Sequence, residues 1–294
     1  IMRQFESQEW MELVQRERPD RAMMVPTMLK QLMDHPRFHS YDLSSLQVIT
    51  YGAAPMPLEV IRRAIGEFPN ASFINAFGQT ETASTITMLP PQDHVLDGTP
   101  EEVEKKLKHL TSIGKPLDDV EVAIVDDDGE PVPTGEVGEI VAIGPRIMKG
   151  YWKQEEATEG TIKGGALYTG DLGYQDEDGY IYLSGRAKDF IKRGGEMVSP
   201  EEVERVLMSH PGVEDAAIIG VPDMDWGERV RAVVVRREAS AGEEELIEYC
   251  HQRLASFKKP ESVVFVDELP RNALGKVLKR VLREEHGHPM EAGL

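Results

Sequence analysis

The chain has 294 residues, of which 40% are hydrophobic and 29% charged, a length that fits two domains and a composition able to build sizeable cores. Lys plus Arg number 33 against 52 Asp plus Glu, and the net charge of −19 argues against nonspecific nucleic-acid binding and against an anionic membrane as a partner. One cysteine, Cys250, rules out a disulfide framework within the chain.

Cys250 reads as a small buried hydrophobe on a helix and fits a reducing, cytoplasmic compartment. No apolar run approaches the ~20 residues that span a bilayer, so stable membrane insertion is not expected. The opening Ile1-Met2-Arg3 carries no signal-peptide pattern and, with Ile ahead of Met, does not read as a natural start.

Residues 46–51 form a short apolar run that reads as a buried strand and runs into the turn Gly52-Ala53-Ala54-Pro55. Residues 57–68 predict a helix, with proline at its start and Leu58, Ile61 and Ile65 on one face. Residues 71–76 predict a second strand, followed at once by a loop over 77–82. Such alternation is α/β, and ligands in α/β folds bind at loops leaving the carboxyl ends of strands. Residues 92–109 are polar and read as an exposed loop or helical excursion. Short strands at 120–125, Gly138–Ile143 and 180–183, parted by Asp/Gly turns, predict a small β-barrel-like subdomain.

A boundary falls near residues 185–189, giving domains 1–185 and 186–294, the second a small α+β unit. Ser199-Pro200-Glu201-Glu202 is a helix start, with Ser199 as cap and Glu202 able to complete a capping box. Strands at 213–221 and 230–235, a helix at 243–254, a strand at Ser262–Val266 and a last helix after Gly275 follow.

Four constellations carry chemistry. In Phe77-Gly78-Gln79-Thr80-Glu81 the ring could stack on a purine and the glycine admit a phosphate to the backbone. The Thr80 hydroxyl could bond a phosphate oxygen and Glu81 hold Mg²⁺, although the same residues alone fit an ordinary loop equally well. Tyr168-Thr169-Gly170-Asp171 reads as a loop whose carboxylate could accept bonds from ribose hydroxyls, or as a plain turn. Arg186, Lys188, Lys192 and Arg193, followed by Gly194-Gly195, crowd cations into a permissive segment at the boundary, either a solvated basic loop or an anion site. Lys276 follows a Pro/Asn/Gly stretch at a helix start; a lone lysine is usually solvated, but on such a loop it could reach a carboxylate and a phosphate. His94, His109, His210 and His251 occur singly and read as surface or packing residues.

In order and spacing these pieces resemble the adenylate-forming superfamily, in particular its acyl- and aryl-CoA synthetase branch, along nearly the whole chain. Phe77–Glu81 is similar to the family's aromatic-Gly-x-Thr-Glu motif and Gly52–Pro55 to its adenine turn. Met148-Lys149-Gly150-Tyr151-Trp152, Tyr168–Asp171, the segment from Gly185 to Glu204, and Pro270 to Lys276 resemble four further motifs. The resemblance implies ATP (released as AMP), Mg²⁺ and CoA as cofactors. Ala53, Ala54, Pro55 and Phe77 would hold adenine, with Gly52, Asn75, Ala76 and Gly78 completing that side. Thr80 would touch the α-phosphate, Glu81 the magnesium, and Asp171 and Arg186 the ribose. Lys188 would be the hinge, with Lys192, Gly194 and Gly195 on the CoA side and Lys276 bridging the acid's carboxylate and the α-phosphate.

The implied reaction joins a carboxylic acid to ATP as an acyl-adenylate, then passes the acyl group to CoA; a fatty or aromatic acid is the expected substrate, and a homodimer is compatible. A peptide-synthetase adenylation module and a noncatalytic nucleotide-binding fragment are the other readings. The family's Ser/Thr/Gly-rich phosphate loop is not found, since residues 1–51 contain no glycine. The chain alone is therefore expected not to adenylate acids.

Overall fold

The computed structural model describes residues 5–237, 241–272 and 276–288. The chain divides into two compact units: Ile1–Thr169 with Gly173–Leu183, and Gly170–Leu172 with Ser184–Leu294.

In the first unit α1 (Ser7–Glu17), β1 (Arg21–Met24), α2 (Pro26–Asp34), β2 (Val48–Gly52), α3 (Leu58–Glu67), β3 (Ser72–Phe77), β4 (Thr87–Leu89), α4 (Pro100–His109) and β5 (Lys115–Pro116) follow in order. The five strands form one sheet in sequence order; β1, β2 and β3 are parallel, β4 and β5 antiparallel. The helices between parallel strands are amphipathic. α3 buries Ile61 and Ala64 and leaves Arg62 and Arg63 in solvent. That spacing is what seats a helix on a sheet. Ile49, Tyr51, Phe73, Leu29 and Leu32 fill the core beneath.

The polar segment 92–109 resolves into a four-residue 3₁₀ turn (Pro91–His94) and the helix α4. Thr99 and Glu102 cap α4 reciprocally: Thr99 N donates to Glu102 Oε2 at 2.7 Å, and Glu102 N to Thr99 Oγ1 at 3.3 Å. Of the two readings, loop or helical excursion, the second holds over Pro100–His109; composition could not decide between them because little of the helix surface is apolar.

A second sheet holds β6 (Glu121–Val125), β7 (Gly138–Ile143), β8 (Ile162–Lys163), β9 (Ala166–Gln175) and β10 (Ile181–Arg186), in the order β10-β9-β7-β6 with β8 on β9; α5 (Glu155–Thr161) precedes β8. Tyr168–Asp171 lies inside β9 and not in a loop as expected. The strand alternates, burying Leu167, Thr169, Asp171 and Gly173. Polar groups turned inward find partners there, such as Thr169 Oγ1 donating to Ile140 O at 2.7 Å, so the polar and glycine-rich sequence hides a strand.

In the second unit β11 (Ile191–Arg193), β12 (Glu196–Val198), α6 (Pro200–Met208), β13 (Val213–Asp223), β14 (Gly227–Arg236), α7 (Glu243–His251), β15 (Ser262–Val266) and α8 (Lys279–His286) build a third sheet ordered β12-β11-β14-β13, with β15 parallel to β14. Ile218, Val230, Val234, Val203 and Leu246 are buried between sheet and helices. Ser199 caps α6 as expected, but the expected box is half made. Glu202 turns its carboxylate to Lys258 Nζ at 2.7 and 2.9 Å, because a cation outcompetes the backbone amide. Cys250 is buried on α7, and burial pushes its thiol up to about 11. Among the described residues no helix is long and apolar enough to cross a membrane.

Candidate active site

The carboxyl ends of β2 and β3 bring two of the expected motifs together. In the parallel register Gly52 stands opposite Ala76. A Cβ on Gly52 would meet Ala76 O at 2.3 Å, so only glycine lets the strands approach here. The chain then turns at Ala53, a non-glycine residue in the left-handed region at φ 65°, and presents Ala53, Ala54 and Pro55 to solvent. On the neighbouring strand the Asn75 side chain is buried and donates from Nδ2 to Ser112 O at 3.1 Å, which anchors the strand end. The Phe77 ring is half-buried against two small clusters that include Ile113, Ile140 and Ile86. Gly78 is wedged so tightly that a Cβ would lie 1.7 Å from Ser84 O.

Thr80 and Glu81 sit in a 3₁₀ turn, Thr80–Thr82, where a loop was expected. The buried Thr82 hydroxyl ties the turn down, accepting from Gln79 N and donating to Gln79 O, both at 2.9 Å. Thr80 is left exposed and Glu81 half-exposed. Tyr151 donates its hydroxyl to Glu81 Oε1 at 2.8 Å, and Met148 N donates to Glu81 O at 2.8 Å. The Met148–Trp152 motif is therefore the partner of the Glu81 turn, and the hydrogen bond to Glu81 raises the Tyr151 pKa. Tyr151 carries no role in the sequence reading; its one cue is a phenol just after Gly150 in that motif.

Of the two readings given for His94, surface or packing, the structure shows packing. The residue is buried beneath β2, its Nδ1 donates to Pro90 O at 3.0 Å, and its Nε2 accepts from the Tyr51 hydroxyl at 2.9 Å. The carbonyl can only accept, which assigns the tautomer. Desolvation brings the imidazole down to about 4.

In the second unit Asp171 and Arg186 are brought together, Nε to Oδ1 at 2.6 Å, with the carboxylate side chain only 10% exposed. Lys276 does not begin the last helix: α8 starts at Lys279, and Lys276 lies in a loop closed by the bridge Arg271↔Val277. Its N–H donates to Asn272 Oδ1 and its carbonyl accepts from Asn272 N, both at 2.9 Å. Gly275 lies outside the described residues. Lys276 is exposed, yet partial desolvation lowers its amine pKa, helped by the Arg186 charge; Asp171 and Asp189 pull the other way, and Lys188 adds to the lowering. Lysine, Arg186 and Asp171 thus share one electrostatic neighbourhood.

Lys188 is exposed in the 3₁₀ turn Ala187–Asp189, whose Asp189 is paired to Arg283 of α8 at 2.7 Å. Lys192, Gly194 and Gly195 belong to a separate hairpin. Arg193 pairs with Glu196, and the two glycines between them take φ 59° and 88°, the geometry that favours a tight two-residue turn. Gly194 lies against Trp226, which would meet a Cβ at 2.7 Å.

Comparison with known proteins follows the same division. The family model described as "AMP-binding enzyme" matches residues 1–152, and "AMP-binding enzyme C-terminal domain" matches residues 202–276, ending on Lys276. The medium/long-chain-fatty-acid–CoA ligase FadD8 of Mycobacterium tuberculosis is 40% identical over 291 residues, covering 96% of this chain and 49% of that protein. A feruloyl-CoA synthase of an Amycolatopsis species is 40% identical over 275 residues, covering 93% and 53%. The crystal structure of ATP-bound MatB from Rhodopseudomonas palustris superimposes with a TM-score of 0.84 at 34% identity, covering 98% of this chain and 54% of that one. The chain spans about half the length of the curated relatives it matches.

Proposed function

We start from the fact that this chain belongs to the AMP-binding enzyme family, and we propose that it carries the carboxyl-terminal machinery of an ATP-dependent carboxylic acid–CoA ligase. In the first half-reaction a carboxylate oxygen bonds to the α-phosphorus of ATP and pyrophosphate leaves; in the second the CoA thiol takes the acyl group and AMP leaves. The observation that carries the reading is Lys276: an amine on a short, bonded loop, lowered in pKa, in the field of Asp171 and Arg186.

The roles follow from the groups. The exposed turn Ala53-Ala54-Pro55 and the edge of Phe77 give the adenine a flat apolar seat. Asp171, already oriented by Arg186, offers acceptor oxygens to ribose hydroxyls. The exposed Thr80 hydroxyl donates to the α-phosphate. Lys276 stabilises charge that develops as carboxylate and phosphate meet. Glu81 fits Mg²⁺, an oxygen-seeking ion that takes one or two carboxylates beside substrate phosphates, since Tyr151 engages only Oε1. Mg²⁺ held there would offset phosphate charge. Lys192 and the Gly194-Gly195 turn serve the CoA step, with a turn about Lys188 between half-reactions. The named activities of the relatives support a fatty or aromatic acid as substrate.

The test uses this chain within a polypeptide of its relatives' length. Acid-dependent ATP–pyrophosphate exchange should fall at least about 100-fold in K276Q. Thioester formation from supplied acyl-adenylate and CoA should change little. Unchanged exchange in K276Q, or no exchange with any fatty or aromatic acid, overturns the reading.

A further inference from the structure

Away from the site just described, α4 and the turn between β9 and β10 bring together His109, Asp176 and Asp178. One ligand atom from each can be chosen so that all lie within 4.8 Å of one another. His109 is the last residue of α4 and its side chain is 8% exposed. Its ring stacks on Tyr180, with centroids 3.7 Å apart. The stack fixes the imidazole so that Nε2 faces the carboxylates, 3.7 Å from Asp178 Oδ2. That nitrogen is buried and has no hydrogen-bond partner among the described residues. A buried nitrogen left without a partner is costly, and an ion or a water is the usual reason one persists.

We propose that His109, Asp176 and Asp178 form a binding site for a divalent transition cation such as Zn²⁺, with water completing the shell. The His109 Nε2 to Asp178 Oδ2 separation of 3.7 Å is close to the edge of a tetrahedron with bonds near 2 Å, about 3.4 Å. Two carboxylates and a neutral imidazole balance the charge of a dication. An imidazole beside two carboxylates suits zinc and its neighbours, whereas Mg²⁺ and Ca²⁺ seek more oxygens than these residues provide.

Asp176 is pre-oriented. Its Oδ1 accepts from Asp178 N at 3.1 Å and Tyr180 N at 2.9 Å, and its Oδ2 from the Tyr182 hydroxyl at 2.9 Å, which leaves a lone pair on Oδ2 for the ion. Cations stand at the rim: Lys105 Nζ donates to Asp178 Oδ1 at 3.0 Å and lies 2.8 Å from its Oδ2, Lys108 Nζ lies 3.7 Å from Asp176 Oδ2, and Lys115 Nζ lies over the Tyr180 ring, 4.4 Å from its centroid. The side chains of Lys105 and Lys108 are more than half exposed, so their pairs are weak and either can swing into solvent as the dication enters.

The test is titration of the chelator-stripped chain with ZnCl₂ by calorimetry, with MgCl₂ as control and circular dichroism to confirm folding. One site for Zn²⁺ and none of comparable affinity for Mg²⁺ is expected. D178N, at the exposed end of the site, should weaken Zn²⁺ at least about tenfold. H109F, which keeps the stack on Tyr180, should do the same. K105A should tighten binding two- to fivefold, because it removes the competing cation and leaves the ligands in place. Absence of a Zn²⁺ site in the wild-type chain, which is what water at Nε2 would give, overturns the proposal. So does wild-type affinity in D178N, which decides the matter should H109F fail to fold.

Discussion

The turns at the ends of β2 and β3 and the loop that carries Lys276 are built on different plans. In the first, backbone meets backbone: Gly52 lies under Ala76 O and Gly78 under Ser84 O, with no room for a methyl group. In the second, Lys276 is fixed by two bonds to Asn272, and its character comes from desolvation first and then from the charges of Arg186, Asp171 and Asp189. Under the proposed function, close packing would give the base a surface of fixed shape, and the charged cluster would serve the adenylyl group as it is transferred. The contrast implies that mutations in the first region act on folding and those in the second on titration.

The largest effect tests packing. Gly78→Ala would place a Cβ 1.7 Å from Ser84 O, and backbone cannot yield as a side chain can. A loss of about 3 kcal/mol or more in urea unfolding is expected. Gly195→Ala meets nothing within 4 Å and suffers only from φ 88°, so about 1 kcal/mol is expected. Equal losses in the two variants would mean that the close approach of backbone to Gly78 is not what holds the first region.

The next concerns the support under the packed turns. His94 is held neutral, its pKa depressed from 6.5 to about 4. The unfolded chain takes up that proton first, so the contribution is full above about pH 6.5 and is lost as pH falls toward 4, roughly 3 kcal/mol in all. His94→Gln should remove that part of the acid sensitivity, seen as a flatter dependence of unfolding free energy on pH from 7 to 4. An unchanged slope would show that the Tyr51–His94 pair does not support β2.

How much of this was legible in the sequence also divides by region. The α/β layer was readable, because Val48–Gly52 and Ser72–Phe77 are apolar strands and Leu58, Ile61 and Ile65 repeat at helical spacing. The motifs at Gly52 and Phe77 could be named as a pair only through resemblance; their juxtaposition depends on strand register, which local sequence does not encode. β9 was misread because Thr169, Gly170 and Asp171 look like a turn when their partners, Ile140 O and Arg186, are unseen. For residues 92–109 the loop and helix readings stayed open, because the helical evidence of α4 is a cap and not an apolar stripe. Tyr151 was invisible as a participant, since it acts through one distant partner, Glu81; His94 was read as surface or packing, and only its bond to the distant Tyr51 decides for packing.

A smaller effect probes the link between the Glu81 turn and the Met148–Trp152 motif. Tyr151→Phe deletes one hydrogen bond to a half-exposed carboxylate and should cost about 1 kcal/mol in the same unfolding measurement. If the phenol holds Glu81 for a metal ion, the variant should also need more Mg²⁺ to reach half-maximal nucleotide binding. No change in either quantity would reduce the contact to an incidental one.

The smallest effect in energy is the most direct test of the charged region. Lys276 titrates below an ordinary lysine because of desolvation first and Arg186 second, with Asp171 opposing. Asp171→Asn removes the opposing charge and also strips Arg186 of its partner, so both consequences lower the Lys276 pKa further. Arg186→Gln does the reverse, since it deletes a cation that repels the Lys276 ammonium and offsets the Asp171 charge. The pH dependence of reductive methylation at Lys276, read by mass spectrometry, follows the shift without calling on activity. Opposite displacements in the two variants, with unfolding free energies close to wild type, mean that charge and not packing defines the surroundings of Lys276. Displacements of the same sign, or none, would mean that Lys276 is governed by its loop, and that the two regions are built alike after all.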